Sequence, residues 1–204
     1  MISTAPIRGD FPSLKLGRMV RYHSTIERDL LYFLEYWQSV TWYQEQPHTI
    51  EHIMPDGKCH RYTPDYEIHQ GVSKILAECK PQSRLETEQA QKQREIGQTW
   101  SEENGYDFVI FTDVELRSGE RLSNLKLLWR YARLRGVYPQ RKIMLHIQKI
   151  QVSSVEILCQ DLGLSMQVVV PVVCNFLFHH HIEMDMEKAF TNKSILKSVR
   201  SKEI

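Results

Sequence analysis

The chain has 204 residues, 42% of them hydrophobic and 25% charged, with a formal net charge of +1; this is the composition of a globular protein with room for one large domain or two small ones. No run approaches the roughly 20 apolar residues of a membrane span, and the opening Met-Ile-Ser-Thr-Ala-Pro lacks the apolar stretch of a signal peptide, so a cytoplasmic protein without a membrane partner is expected. Cys59, Cys79, Cys159 and Cys174 show no C-x-x-C spacing, which argues for reduced thiols and against a zinc site or a disulfide framework.

Residues 1–20 have little periodicity and contain Pro6, Gly9, Pro12 and Gly17, the composition of an N-terminal arm that orders only against something else. Ser24-Thr25-Ile26-Glu27 then has the spacing of a capping box, and Ile26, Leu30, Phe33, Leu34 and Trp37 recur at helical intervals, so a helix begins at Ser24 and lays one face on a sheet. On local sequence alone, Glu27 has a capping role. Strands are predicted at 40–46, 49–54, 60–69 and 74–80, with Pro55-Asp56-Gly57-Lys58 and Gln70-Gly71-Val72-Ser73 as turns. Beyond Pro81, Ser83-Arg84-Leu85-Glu86 is a second capping box, opening a helix with a Gln-rich face that stops at Asn104-Gly105. An apolar, aromatic strand follows at 106–112.

The chemistry concentrates on Tyr62-Thr63-Pro64-Asp65-Tyr66 and Glu78-Cys79-Lys80. A turn centred on Gly71 and Val72 sets Asp65 opposite Glu78, making the two carboxylates cross-strand neighbours. Alternation points Glu78 and Lys80 to one face, expected to carry the chemistry, and Ala77 and Cys79 to the other, expected to be core. Pro64 gives no backbone N–H and biases Thr63 to an extended form, so the strand can leave the sheet there and open a gap. Two mutually repelling carboxylates suit magnesium, and a neighbouring ammonium can orient a water or neutralise phosphate charge, the requirements of phosphodiester hydrolysis. An exposed hairpin with scattered charges is the competing reading of the same residues.

With the order helix, strand meander, helix, strand in place, the sequence resembles the PD-(D/E)xK nuclease superfamily, and within it the TnsA-like endonuclease subunits of heteromeric transposases. The resemblance rests on Ser24-Thr25-Ile26-Glu27-Arg28-Asp29, Glu45-Gln46-Pro47, Tyr62-Thr63-Pro64-Asp65-Tyr66 and Glu78-Cys79-Lys80, and covers roughly residues 20–112. It implies a restriction-endonuclease-like core, a mixed sheet flanked by helices. It makes Glu27, Asp65, Glu78 and Lys80 catalytic, Glu78 filling a position where the family accepts Glu or Gln, and places a magnesium site, which manganese can also occupy, at Glu27, Asp65, Glu78 and Cys79. Arg61, Arg84 and Lys92 are candidate DNA contacts, and Gln89, Gln91 and Gln93 could reach phosphates, although for any one of the glutamines a solvated helix face is the stronger reading.

The second half differs in charge. Residues 1–115 hold 12 Lys and Arg against 18 Asp and Glu, whereas 116–204 hold 14 against 7; the basic half suits phosphate, the acidic half a metal. A basic amphipathic helix is expected at 121–135, a turn at Gly136-Val137-Tyr138-Pro139, and helices at 140–150, from the cap Ser153-Ser154-Val155-Glu156 to an end at Leu162-Gly163-Leu164, and from Ser165 to about His180. Helix, Gly-containing turn, helix, then Ile182 and alternating Glu183-Met184-Asp185-Met186 resemble a helix-turn-helix and wing, so a mainly helical winged-helix-like domain is expected at 116–204, after an arm at 1–20 and a nuclease domain at 21–115. The apolar run around Pro171 suits buried scaffold or protein docking better than base reading. His179, His180 and His181 lack metal-ligand spacing, and a helix C-terminus favouring cationic imidazole is the expected setting.

The resemblance implies hydrolysis of the non-transferred strand at the ends of a bacterial DNA transposon, in the cytoplasm at the nucleoid. The implied partners are double-stranded DNA, a TnsB-like DDE transposase and a TnsC-like AAA+ ATPase that contacts the C-terminal region. Two other readings are a free-standing restriction-type or junction-resolving nuclease and a non-catalytic winged-helix DNA-binding adaptor.

Overall fold

The computed structural model describes residues 7–53, 57–136 and 139–199, and the chain divides into two compact units, Met1–Arg117 and Ser118–Ile204. The expected turns at 55–58 and 136–139 therefore lie partly outside the described residues.

Unit 1 opens on an antiparallel pair, β1 (Gly9–Pro12) and β2 (Met19–Tyr22). Phe11 and Val20 are buried, and the Phe11 ring meets Tyr32 edge-on at 5.1 Å. The expected arm is thus a hairpin packed on the chain's own first helix, α1 (Thr25–Tyr36). The reason is a buried carboxylate: Glu35 accepts hydrogen bonds from the Ser13 and Tyr43 hydroxyls (2.5 and 2.6 Å) and from the Leu14 and Lys15 amides (3.0 and 3.3 Å). Lys15 donates through its ammonium to the carbonyls of Trp37 and Val40, just past α1; burial lowers its pKa to about 8, with nearby Glu35 acting the other way.

The chain continues through β3 (Val40–Glu45), β4 (Ile50–Ile53), β5 (Cys59–Tyr62), β6 (Tyr66–Gln70) and β7 (Ser73–Lys80). A 3-10 turn at Gln82–Arg84, α2 (Glu88–Asn104), β8 (Asp107–Thr112) and the short α3 (Asp113–Leu116) follow. The main sheet has the order β3-β6-β7-β8, antiparallel except for the parallel β7–β8 pair. Unit 1 is therefore a mixed sheet flanked by helices, a restriction-endonuclease-like arrangement.

The hairpin register follows the turn at Gly71 and Val72, with Tyr66 opposite Ala77 and Gln70 opposite Ser73. The strand expected at 60–69 is instead two strands in different sheets: β5 pairs with β4, and β6 with β3 and β7. The break falls on Thr63-Pro64-Asp65, where buried Pro64 has no N–H for a ladder. The second capping box also fails as a helix start. The Gln82 amide is held by Asp113 Oδ1 at 2.8 Å, residues 82–84 turn tightly, and Thr87 is the N-cap, accepting from the Ala90 amide at 3.3 Å.

Both faces of this sheet are core, which corrects the expected division into a chemical and an apolar face. Tyr43, Tyr66, Ile68 and Ala77 are fully buried on the α1 side. On the other side Leu76 clusters with Ile50, Tyr62 and Ile96, and with Trp100, Tyr106 and Phe108 around them. Chemistry is confined to the end of that second face. Gly97 brings α2 close to β8: a Cβ there would lie 2.3 Å from the Phe108 ring.

Unit 2 is mostly helical: α4 (Arg121–Tyr131), α5 (Gln140–Ile150), β9 (Val152–Ser153), α6 (Val155–Leu162), α7 (Met166–Phe178), β10 (Ile182–Glu183) and β11 (Leu196–Ser198). The three short strands form an antiparallel sheet, order β10-β11-β9. α7 is nearly all buried from Val172 to Phe178, despite Pro171 within it. α4 ends at Tyr131, short of the expected 135, because buried Asn175 donates to the carbonyls of Tyr131, Ala132 and Leu134 and His179 contacts that of Ala132 at 2.7 Å. Around α7's end His181 departs from the expected cation: burial, then His179 and His180, lower its pKa. Among the described residues, no helix is long and apolar enough to cross a membrane.

Candidate active site

Where the β6–β7 ladder stops at Tyr66 and Ala77, and β7 runs on to Lys80 with β8 still paired on its other side, a cleft of about 400 Å³ opens. Glu27, Asp65, Glu78 and Lys80 all line it, together with Arg84, Gln89 and Gln93. Each is placed by a local device. Ser24 caps α1 by accepting from the Glu27 amide at 3.1 Å, while the Glu27 carboxylate accepts from the His23 amide at 2.7 Å, so one residue both closes the helix start and faces the cleft. Asp65 stands just outside the last β6–β7 pair, and its Oδ2 accepts the Cys79 amide at 2.7 Å, replacing the strand carbonyl that the Pro64 break removes.

Glu78 is buried and doubly held. Its Oε2 accepts from the Tyr62 hydroxyl at 2.7 Å, and its Oε1 lies 2.7 Å from Lys80 Nζ. The Tyr62 hydroxyl is pushed up by burial and then by Glu78, so it stays protonated as a donor. The Asp65 carboxyl is raised well above the ordinary carboxylate range: burial is the largest cause, followed by the charges of Glu78 and Glu27, against which the Cys79 amide and Lys80 act. Three carboxylates thus repel one another around one hollow.

Cys79, expected in the metal set, contributes through its main chain. Its thiol is pushed well up by burial and by Asp65, Glu27 and Glu78, and a neutral, soft thiol is no ligand for a hard cation. Arg84 is exposed at the cleft. Arg61 and Lys92 line a neighbouring hollow of about 410 Å³ that shares Gln89 and Gln93 with the cleft; Arg61 pairs with Glu51 at 2.8 Å and Lys92 with Glu88 at 2.7 Å. Gln91 instead bonds Glu86 at 3.4 Å. The sequence reading missed Tyr62 and Thr87. Tyr62 adjoins the Thr63-Pro64-Asp65 break, which is the signal that could have drawn attention to it.

Among the described residues, no three His, Cys, Asp or Glu side chains form a ready-made metal cage. The donor set nonetheless suits magnesium, which keeps several waters and binds through one or two carboxylates. In comparison with known families, residues 38–113 match the model of the TnsA-like endonuclease N-terminal domain. That span holds Asp65, Glu78 and Lys80 and begins after α1, so it omits Glu27. No curated protein matches the chain.

Proposed function

We propose that the chain is the magnesium-dependent endonuclease subunit of a heteromeric transposase, hydrolysing the non-transferred strand at transposon ends. The observation that carries this reading is the coincidence of the match to the TnsA-like domain with one cleft lined by Asp65, Glu78 and Lys80, in which Asp65 is pushed up by burial and then by the neighbouring carboxylates. Asp65, with Glu27 and Glu78, would hold the ion, and magnesium or manganese bound there would polarise a phosphoryl oxygen and relieve the repulsion among the carboxylates.

The chain's own residues supply the rest. Lys80, held by Glu78 at 2.7 Å, places an ammonium where it can orient the attacking water or neutralise charge on the phosphate. Tyr62 and the Cys79 amide fix the carboxylates, so little reorganisation is needed during reaction. Arg84, Gln89 and Gln93 sit where a phosphate could be held, and Arg61 and Lys92 extend that surface along α2. In unit 2 the order α5, β9, α6, α7, β10, β11, with β11 between β9 and β10, supports a winged-helix reading. Its apolar α7 suits docking to a TnsC-like ATPase, while a TnsB-like transposase would recognise and join the ends.

The test is cleavage of supercoiled plasmid carrying the transposon ends by the full chain with magnesium, with and without TnsB-like and TnsC-like proteins. Strand cleavage that needs those proteins and is lost in Asp65→Asn supports the proposal. Efficient cutting by the chain alone favours a free-standing nuclease, and parental cutting by Asp65→Asn overturns the site.

A further inference from the structure

The Glu45-Gln46-Pro47 segment has no part in the chemistry above, yet Gln46 is tied to both sides of the cleft. The β3–β6 ladder ends at Glu45 and Tyr66, and one step further the Gln46 amide donates to the Asp65 carbonyl at 2.9 Å. The Gln46 side chain contacts the His23 ring, Nε2 to Nδ1 at 3.1 Å. The His23 amide in turn donates to Glu27 Oε2 at 2.7 Å, and its ring Nδ1 lies 4.0 Å from that same oxygen. An unbroken chain of contacts therefore runs from the Asp65 main chain through Gln46 and His23 to the Glu27 carboxylate.

The backbone at Gln46 is the second observation. Its φ is +42°, in the left-handed region that a non-glycine residue occupies only when its surroundings impose it, and among the described residues of unit 1 no other non-glycine residue has a positive φ. That conformation turns the chain out of β3 at the position where the amide meets Asp65 and the side chain meets His23. The turn thus brings both contacts onto one residue.

We infer that Gln46 and His23 are positioning residues that hold Asp65 and Glu27, carried by a strand end and a helix start far apart in sequence, in one relation suited to a divalent cation. The inference rests on the metal-dependent reading of the cleft. Gln46 acts with both its amide and its side chain, and His23 transmits the restraint. Donation from the Gln46 amide group fixes His23 in the tautomer with its proton on Nε2.

The test compares the full chain with Gln46→Asn, His23→Ala and His23→Asn. Asparagine tolerates the left-handed backbone but is one methylene too short to span to His23, and at position 23 its carbonyl can stand in for the Nδ1 acceptor. Two readouts are taken: Mn2+ affinity by calorimetry, and, without metal, the amide signals of Glu27 and Cys79 in nitrogen-proton spectra. Gln46→Asn and His23→Ala should each weaken Mn2+ binding by about tenfold or more and shift both amide signals, with melting temperature little changed, and His23→Asn should stay close to the parent. Unchanged Mn2+ affinity and amide signals in Gln46→Asn would overturn the inference. A parental chain that does not bind Mn2+ would overturn the metal-dependent reading instead, and the metal-free amide signals separate that failure from failure of the link.

Discussion

Replacing Asp65 by Asn should stabilise the metal-free protein while abolishing its response to metal. The Asp65 carboxyl is raised by burial and by Glu78 and Glu27, so the folded state holds its proton more tightly than the unfolded chain does. Below the ordinary carboxylate pKa of about 3.9 both states are protonated and the site costs nothing. Between that value and the raised folded one the unfolded chain ionises while the folded one keeps its proton, so stability falls as pH rises; above the folded value the loss is complete, ~1.4 kcal/mol for each tenfold difference in proton affinity between the two states. Asparagine removes the charge and keeps an acceptor for the Cys79 amide. At about 2–4 °C per kcal/mol for a chain of this size, each such tenfold step should raise the melting temperature of Asp65→Asn by roughly 3–6 °C at pH 7 in EDTA. The gain should shrink toward pH 4. Mn2+ should raise the melting temperature of the parent and leave that of the variant unchanged. A variant less stable than the parent at pH 7 in EDTA would refute the account of mutual repulsion.

Three further outcomes are expected. Lys80→Ala should lose about 100-fold or more in strand cleavage, the usual scale for a group acting in proton transfer, while still binding Mn2+ in a calorimetric titration. Lys15 has a folded pKa of about 8, below its ordinary 10.5, so folding favours the neutral amine; denaturant titrations should show stability rising between about pH 8 and 10.5, and Lys15→Met should flatten that rise. Gly97→Ala would press a Cβ into the Phe108 ring and push α2 from β8, costing about 1–3 kcal/mol by urea titration and lowering cleavage because Gln89 and Gln93 ride on α2.

What could be read from the sequence was what local chemistry decides. Gly71 and Val72 fix the β6–β7 register, Ser24 and Gly105 mark helix ends, and Pro64 marks the place where a strand must leave its sheet. The N-terminal hairpin escaped because its anchor, Glu35, lies about 20 residues away and looks like an ordinary helix-surface acid until Ser13 and Tyr43 close on it. Two overlapping start signals, at Ser83 and Thr87, compete for α2, and Asp113 decides between them from across the unit by binding the Gln82 amide. β9 and β11 are too short to carry alternation, and they exist because each completes the other. Within the cleft the acids and the lysine were visible from their spacing, whereas Tyr62 and the Gln46–His23 contact arise only when separate strands and a helix start converge.

The hydrogen bond from the Cys79 amide to Asp65 makes a cleft-lining carboxylate serve as a missing rung of the sheet. Removing that side chain does more than empty the proposed metal site: it leaves a main-chain donor on an inner strand facing a gap, a bare length of edge to which another extended segment could add. An alanine variant would therefore differ from the parent in its tendency to self-associate as well as in its chemistry. Asparagine keeps the rung, and is the sounder silent form for experiments on assembly.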